Sequence, residues 1–552
     1  MELSDIAPGG NGGSAGALLK VNMWGAANQA GVNPDHSVKV KFNNVEVASE
    51  RFDGLRAKQV EASLADVSVV EGSNTVQLTL PLDTGYGFDA INLDSVEVSY
   101  PSKFVAKENR LDFVSTLSKF NVSGFEPSAL ANGDEDLVVV REDVTGTVVL
   151  SGSSKKAACR TSLCVVQVAG KGTAAHYYVS SRSALHRPGL SALPLDADIV
   201  SGNANYLIIS HPDFIGSAGN NLLEGLKTTL ESEMGSVDIV DVENIYAQFG
   251  YHLFNPEAIK DYIKYAVENR GTKYVMLVGG DVYDYRQFEN EDAQSFIPSL
   301  YAATGNNITY APVDAKYVDT DDDNVPDLAI GRLPVRTVSQ LSVLLGKRND
   351  YVNRTYGGKA LLVADTYDEV QQYDFGDDAD EIEADYLQNF TIEKAYADDL
   401  GVSAARAKVK SEIEAGTTLT AFFGHSSTNQ WSFNGLFTGP DAAGLQNQGK
   451  PTVVTQWGCW NAYYVSPNED SMGHRFMMEG DRGAIAVMGA STLTDANNER
   501  VLARLVFERL ANGERLGDAV TNAKQEYALE NPNDLDVLLG WTVLGMPELF
   551  IN

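Results

Sequence analysis

The chain has 552 residues, too many for one hydrophobic core, so about two to four domains are expected. Its formal net charge of −33 argues against nucleic acid and anionic membrane as partners. No apolar run reaches the roughly 18 residues of a membrane span. The start, Met1-Glu2-Leu3-Ser4-Asp5, lacks the basic and apolar stretches of a signal peptide, so the chain reads as cytosolic or as one whose signal was removed.

Residues 1–203 read as β-structure. Short alternating runs such as Ser37–Phe42 and Val76–Leu80 are separated by Gly, Asn and Asp turns. The pattern predicts a β-sandwich or jelly roll over 1–110 and a smaller β segment over 111–203, which holds Cys159 and Cys164. Near residue 204 the pattern changes. Tyr206–Ser210 is a buried-strand run, a helix is expected near 217–235, and Val237–Val242 is the next strand. Asn255 before Pro256 marks a helix start, and Tyr274–Val278 follows as a strand. The same alternation restarts at Leu361–Asp365 and continues through Leu419–Phe423, Thr452–Thr455 and Ala484–Met488. The expectation is two α/β units, 204–357 and 358–552, with a mainly parallel sheet flanked by helices.

Three cysteines are present. Cys159 and Cys164 lie close together and Cys459 is remote, which suggests one small disulfide and one free thiol. A disulfide favours an oxidising compartment. Two strand ends carry reactive groups: His425 follows Leu419–Phe423, and Cys459 follows Val454–Trp457. In parallel α/β sheets sites gather beyond the carboxyl ends of strands. An imidazole beside a thiol supplies the proton shuttle that a thiolate nucleophile needs. The run Asp319-Thr320-Asp321-Asp322-Asp323-Asn324 offers alternate carboxylates to a hard cation, with Asp327 further on. It is not an EF-hand, because Ile330 stands where the closing Glu would be. Calcium on Asp319, Asp321, Asp323 and Asp327 is one reading, and a solvated acidic loop the other. The patch Asp374–Asp380 reads as the acidic first turn of a helix.

Residues 204–552 resemble the gingipain family of cysteine peptidases, which have a caspase-type fold. The resemblance is carried by Asn205–Phe214, Asp241–Tyr246, Pro256–Ile259, Tyr274–Asp281, Pro326–Pro334 and Trp541–Pro547. The leading β region, with Gly72–Val76, looks like modules that precede bacterial members. The resemblance implies Cys459 as nucleophile, His425 as base, and the N–H groups of Ser426 and Cys459 as the oxyanion hole. It also implies a protein or peptide substrate and a secreted or cell-surface location. Asp314, in Val313–Tyr317, is similar to the family's specificity carboxylate, which implies cleavage after a basic residue. Trp431 is expected to wall the cleft or to sit in the core. Two departures stand out: Ser426 replaces the usual Gly after the histidine, and Gly545-Met546-Pro547 replaces Gly-Asp-Pro. Alternatives are a sortase-like transpeptidase on the same dyad, an inactive peptidase-fold scaffold, or a calcium-dependent adhesin.

Overall fold

The computed structural model describes residues 1–7, 16–29, 31–160, 162–189, 197–290, 292–305 and 308–551. The chain forms two compact units, Met1–Leu193 and Pro194–Asn552.

The first unit is built from antiparallel β-sheets. Leu18–Gly25 lies between Ala57–Ser63 and Ile91–Ser99, and His36–Phe42 lies between Val45–Phe52 and Val76–Thr79. Their alternating inward residues, among them Leu19, Val21, Val38, Val40 and Phe42, share one core. A second pair of sheets follows, with four and three strands, around Phe120, Val139, Val166 and Tyr177. Cys159 and Cys164 face each other across the hairpin Lys155–Cys159 and Cys164–Ala169 and are joined in a disulfide.

The second unit is organised by ten strands: β1 (Tyr206–Ser210), β2 (Val237–Asp241), β3 (Tyr274–Val278), β4 (Ala329–Leu333), β5 (Lys359–Ala364), β6 (Thr391–Tyr396), β7 (Leu419–Phe423), β8 (Thr452–Trp457), β9 (Ala484–Ala490) and β10 (Trp541–Leu544). They make a single sheet in the order β2-β1-β3-β4-β10-β9-β8-β7-β5-β6. The two α/β stretches of the sequence are therefore halves of one sheet. Neighbours within β1–β4 and within β5–β9 are parallel. Strand β10 joins the halves, parallel to β4 and antiparallel to β9, so the two parallel blocks run in opposite directions.

The strands read as continuous apolar runs because both faces are covered. In β1, Tyr206 and Ile208 enter one core while Leu207 and Ile209 enter another. The first helix begins at Leu222, later than the sequence pattern suggests. Asn220 and Asn221 hold left-handed backbone there and keep the preceding residues in turns. The acidic patch after Tyr373 starts helix α1 (Phe375–Tyr386), whose N-cap Asp374 accepts the Gly376 N–H. Among the described residues no helix is long and apolar enough to cross a membrane.

Candidate active site

Strand register sets the site. Phe423 at the end of β7 is paired with Trp457 at the end of β8, and with Ala364 at the end of β5. The loops leaving three adjacent strands therefore begin level with one another. His425 leaves β7 through Gly424, whose φ is +154° and whose added Cβ would lie 2.4 Å from Asp365 Cβ. Only glycine passes there without displacing the β5 end. The His425 ring is partly exposed. Phe433 stacks on it at 4.9 Å and Phe375 meets it edge-on at 5.2 Å. Its Nε2 lies 2.8 Å from Asp368 Oδ2, on the loop after β5. Asp368 Oδ1 accepts the N–H groups of Val370 at 2.8 Å and Gln371 at 3.0 Å. The Gln371 N–H foremost, then the His425 ring, hold the Asp368 carboxyl below its ordinary range.

Cys459 leaves β8 through Gly458. A Cβ on Gly458 would lie 2.3 Å from Gly424 O and 2.5 Å from Ser426 Oγ, so the two strand ends are pressed together across two glycines. Ser426 Oγ donates to Cys459 O at 2.8 Å and accepts from Asn461 Nδ2 at 3.2 Å. The side chain that replaces the expected glycine thus ties the histidine loop to the carbonyl of Cys459. Trp460 has φ +60°, a strained conformation for a bulky residue, and its N–H donates to Thr492 O at 2.9 Å. The sharp turn leaves Cys459 partly exposed with a free thiol. Sγ lies 3.5 Å from Thr494 O, N and Oγ1, on the loop after β9. Burial, and then the Glu499 carboxylate, push the thiol up. No hydrogen bond joins the His425 ring to the Cys459 thiol among the described residues: Nε2 faces Asp368 and Sγ faces Thr494.

The family model described as Peptidase family C25 matches residues 199–552. The chain belongs to peptidase family C25. Membership carries the family's general activity, hydrolysis of proteins by a cysteine peptidase. The second unit has the family's caspase-type fold. It is similar to the crystal structure of the Arg-specific cysteine proteinase gingipain R (RgpB), at 18% identity and TM-score 0.51, over 63% of this chain and 78% of that one. The complex of Porphyromonas gingivalis RgpB pro- and mature domains matches at 17% identity and TM-score 0.50, over 63% and 79%. Dimeric latent PorU from Porphyromonas gingivalis matches at 14% identity and TM-score 0.53, over 99% of this chain but 49% of that one. At these identities the likeness establishes fold alone. A comparison with curated proteins finds no match.

Within the family frame, two residues expected at the substrate cleft do other work. Asp314 is 2% exposed, and its two oxygens accept Arg332 Nε and Nη2, each at 2.7 Å. Tyr464 Oη donates to it at 2.9 Å. Asp314 is thus a buried carboxylate whose two oxygens are already engaged by the chain's own Arg332. Trp431 is fully buried, stacked on Phe422 at 4.6 Å, with Nε1 donating to Gln456 Oε1 at 2.6 Å. It belongs to the core and walls no cleft. The exposed aromatic beside the histidine is Phe433, 71% accessible.

Of the acidic loop, Asp319, Asp321 and Asp323 bring ligand atoms within 4.8 Å of one another. Asp327 turns away, and its Oδ2 accepts the Thr320 N–H at 2.8 Å. The loop also carries its own cations: Lys316 Nζ lies 2.7 Å from Asp319 Oδ2, and Lys260 pairs with Asp322. Sequence reasoning missed Asp368, Thr494 and Glu499. Each follows a strand of the β5–β9 block, and the signal was available: the strand-end rule that found His425 and Cys459 applies to β5 and β9 as well.

Proposed function

We propose that the chain is a cysteine endopeptidase in which Cys459 attacks the scissile carbonyl, His425 moves the proton, and Asp368 orients His425. One observation carries this reading: the thiol and the Asp368-bound imidazole emerge from adjacent, level strand ends that Ser426 Oγ fastens together at 2.8 Å. With Nε2–H given to Asp368, the neutral ring keeps its lone pair on Nδ1, which becomes the base. Sulfur adds to the carbonyl carbon, and the N–H groups of Ser426 and Cys459 receive the oxyanion. The tetrahedral adduct collapses to a thioester as imidazolium protonates the leaving amine, and water activated by His425 then releases the acid. A small rotation of Cys459 or His425 must precede attack, since each now faces another partner. Specificity for a basic residue loses its carrier once Asp314 is paired with Arg332; the exposed Phe433 ring offers an apolar wall instead.

A calcium ion on Asp319, Asp321 and Asp323 is proposed as a structural companion, supported by their convergence. The donor set is partial for an ion that takes about six to eight oxygens, and Lys316 competes for Asp319. A secreted or cell-surface location is proposed from the Cys159–Cys164 disulfide. An inactive peptidase-fold binding protein is the second reading, favoured because the thiol is turned to Thr494 and the imidazole to Asp368 and not to each other.

The deciding assay is cleavage of a fluorogenic peptide panel, varied at the residue before the scissile bond, by wild type, Cys459→Ala and His425→Ala. Turnover by wild type that falls at least about a thousandfold in both variants is expected. Equal rates for wild type and Cys459→Ala refute the assignment of the nucleophile. Transfer of the acyl group to an added amine in preference to water would make the enzyme a sortase-like transpeptidase.

A further inference from the structure

Linked to Cys459 through Thr494 lies a group that the peptidase mechanism does not use. Glu499 stands in the first turn of helix α2 (Ala496–Ala511) and is 5% exposed. Its Oε1 is hydrogen-bonded to Thr494 Oγ1, and that same Oγ1 is 3.5 Å from Cys459 Sγ. A threonine hydroxyl has one proton to donate. It serves either the carboxylate or the sulfur.

We infer that Glu499, acting through the Thr494 hydroxyl, is a positioning residue that governs when Cys459 can become a thiolate. When Glu499 is protonated, its O–H donates to Thr494 Oγ1 and frees the threonine proton for sulfur. The thiolate then has the Thr494 N–H and O–H as donors, both at 3.5 Å. When Glu499 is ionised, the charge-assisted bond to the carboxylate is the stronger one and takes the hydroxyl proton. The sulfur then loses a donor and faces a buried negative charge. A charged Glu499 and a charged Cys459 therefore oppose each other.

The neighbourhood favours the neutral form of Glu499. Asp536, from the short helix Leu535–Leu538, accepts the Asp495 N–H at 2.9 Å. Asp495 caps α2, and Asp378 faces the site from α1, with the Tyr373 hydroxyl on it at 2.6 Å. The cations nearby are committed elsewhere: Arg500 lies 3.0 Å from both Asp378 and Glu381, and Arg504 pairs with Glu381. Burial first, then Asp536, Asp495 and Asp378, push Glu499 up to about 8.

The inference concerns the thiol itself, and rests on the peptidase reading only for its effect on turnover. Its test therefore uses alkylation rather than cleavage. Cys459 is the one cysteine outside the disulfide, so uptake of iodoacetamide by the intact protein reports on it directly. Rates are measured from about pH 6 to about pH 9 for wild type, Glu499→Gln, Thr494→Val and Thr494→Ser, each checked for a native melting transition. The Glu499→Gln to wild-type ratio should be near one at about pH 6, where the wild-type carboxyl is neutral, and rise to about tenfold at about pH 9. Thr494→Val should slow alkylation by about three- to tenfold at about pH 6, where the hydroxyl serves sulfur, the deficit should shrink toward about pH 9, where the hydroxyl serves the carboxylate, and Thr494→Ser should restore the wild-type profile. A Glu499→Gln ratio that stays constant across the range overturns the inference. Should that variant not fold, Thr494→Val with the profile of Thr494→Ser overturns it equally.

Discussion

Asp368 has two oxygens with separate tasks. One is pinned by the N–H groups of Val370 and Gln371, and the other receives His425 Nε2 at 2.8 Å. The backbone bonds fix the carboxylate, and the carboxylate fixes the tautomer and tilt of the ring. Asp368→Asn keeps the size but can present an amide N–H to Nε2. The variant should lose about ten- to a thousandfold in kcat with little change in KM, because the lost interaction acts on the base and not on substrate binding. An unchanged kcat would remove Asp368 from the machinery. At this scale the sequence was partly legible. His425 and Cys459 could be picked out because each is a reactive residue just past an apolar strand. Asp368 could not be ranked, because nothing in a linear chain says that β5 is the neighbour of β7. Whether Asp314 and Trp431 are buried could not be read for a related reason: their partners, Arg332 and Gln456, are remote in sequence or on another strand, and burial is decided by those partners.

The loop over 319–327 shows what an element adds to its residues. Carboxylates at alternate positions were readable. Their competition with Lys316, and the capture of Asp327 by Thr320, depended on how the loop folds back. Calcium binding at Asp319, Asp321 and Asp323 should raise the melting temperature of wild type by several degrees at about a hundredfold excess over Kd, equivalent to about 2.7 kcal/mol. Asp321→Ala with Asp323→Ala should abolish the rise. If the wild type is itself insensitive to calcium, Lys316 and Lys260 serve as the loop's counter-ions and the site does not exist. The strand ends make the same point. Gly424 and Gly458 were visible as glycines near reactive residues, yet their role, letting two loops close to 2.3 Å of a hypothetical Cβ, exists only once β7 and β8 are paired.

Across the whole second unit, the βα alternation was legible as two α/β blocks, but not their union. The joint is β10, a short strand from the end of the described chain, and its direction cannot be read from a run as brief as Trp541-Thr542-Val543-Leu544. It also supports the site: Trp541 stacks on Trp457 at 3.9 Å, directly beneath the turn that presents Cys459. Trp541→Ala should cost about 3–5 kcal/mol in denaturant unfolding, and a loss under about 1 kcal/mol would show that the joint bears little load. The position of β10 also has a consequence for timing. The ribosome delivers this central strand after all nine of its sheet-mates. Until it emerges, β4 and β9 each expose an unpaired edge and Trp457 lacks the ring of Trp541, so a nascent chain carries the Cys459 turn without the strand that closes the sheet beneath it. Synthesis thus completes every other strand of this sheet before the one that unites its two halves, and the Cys459 turn gains its Trp541 support last.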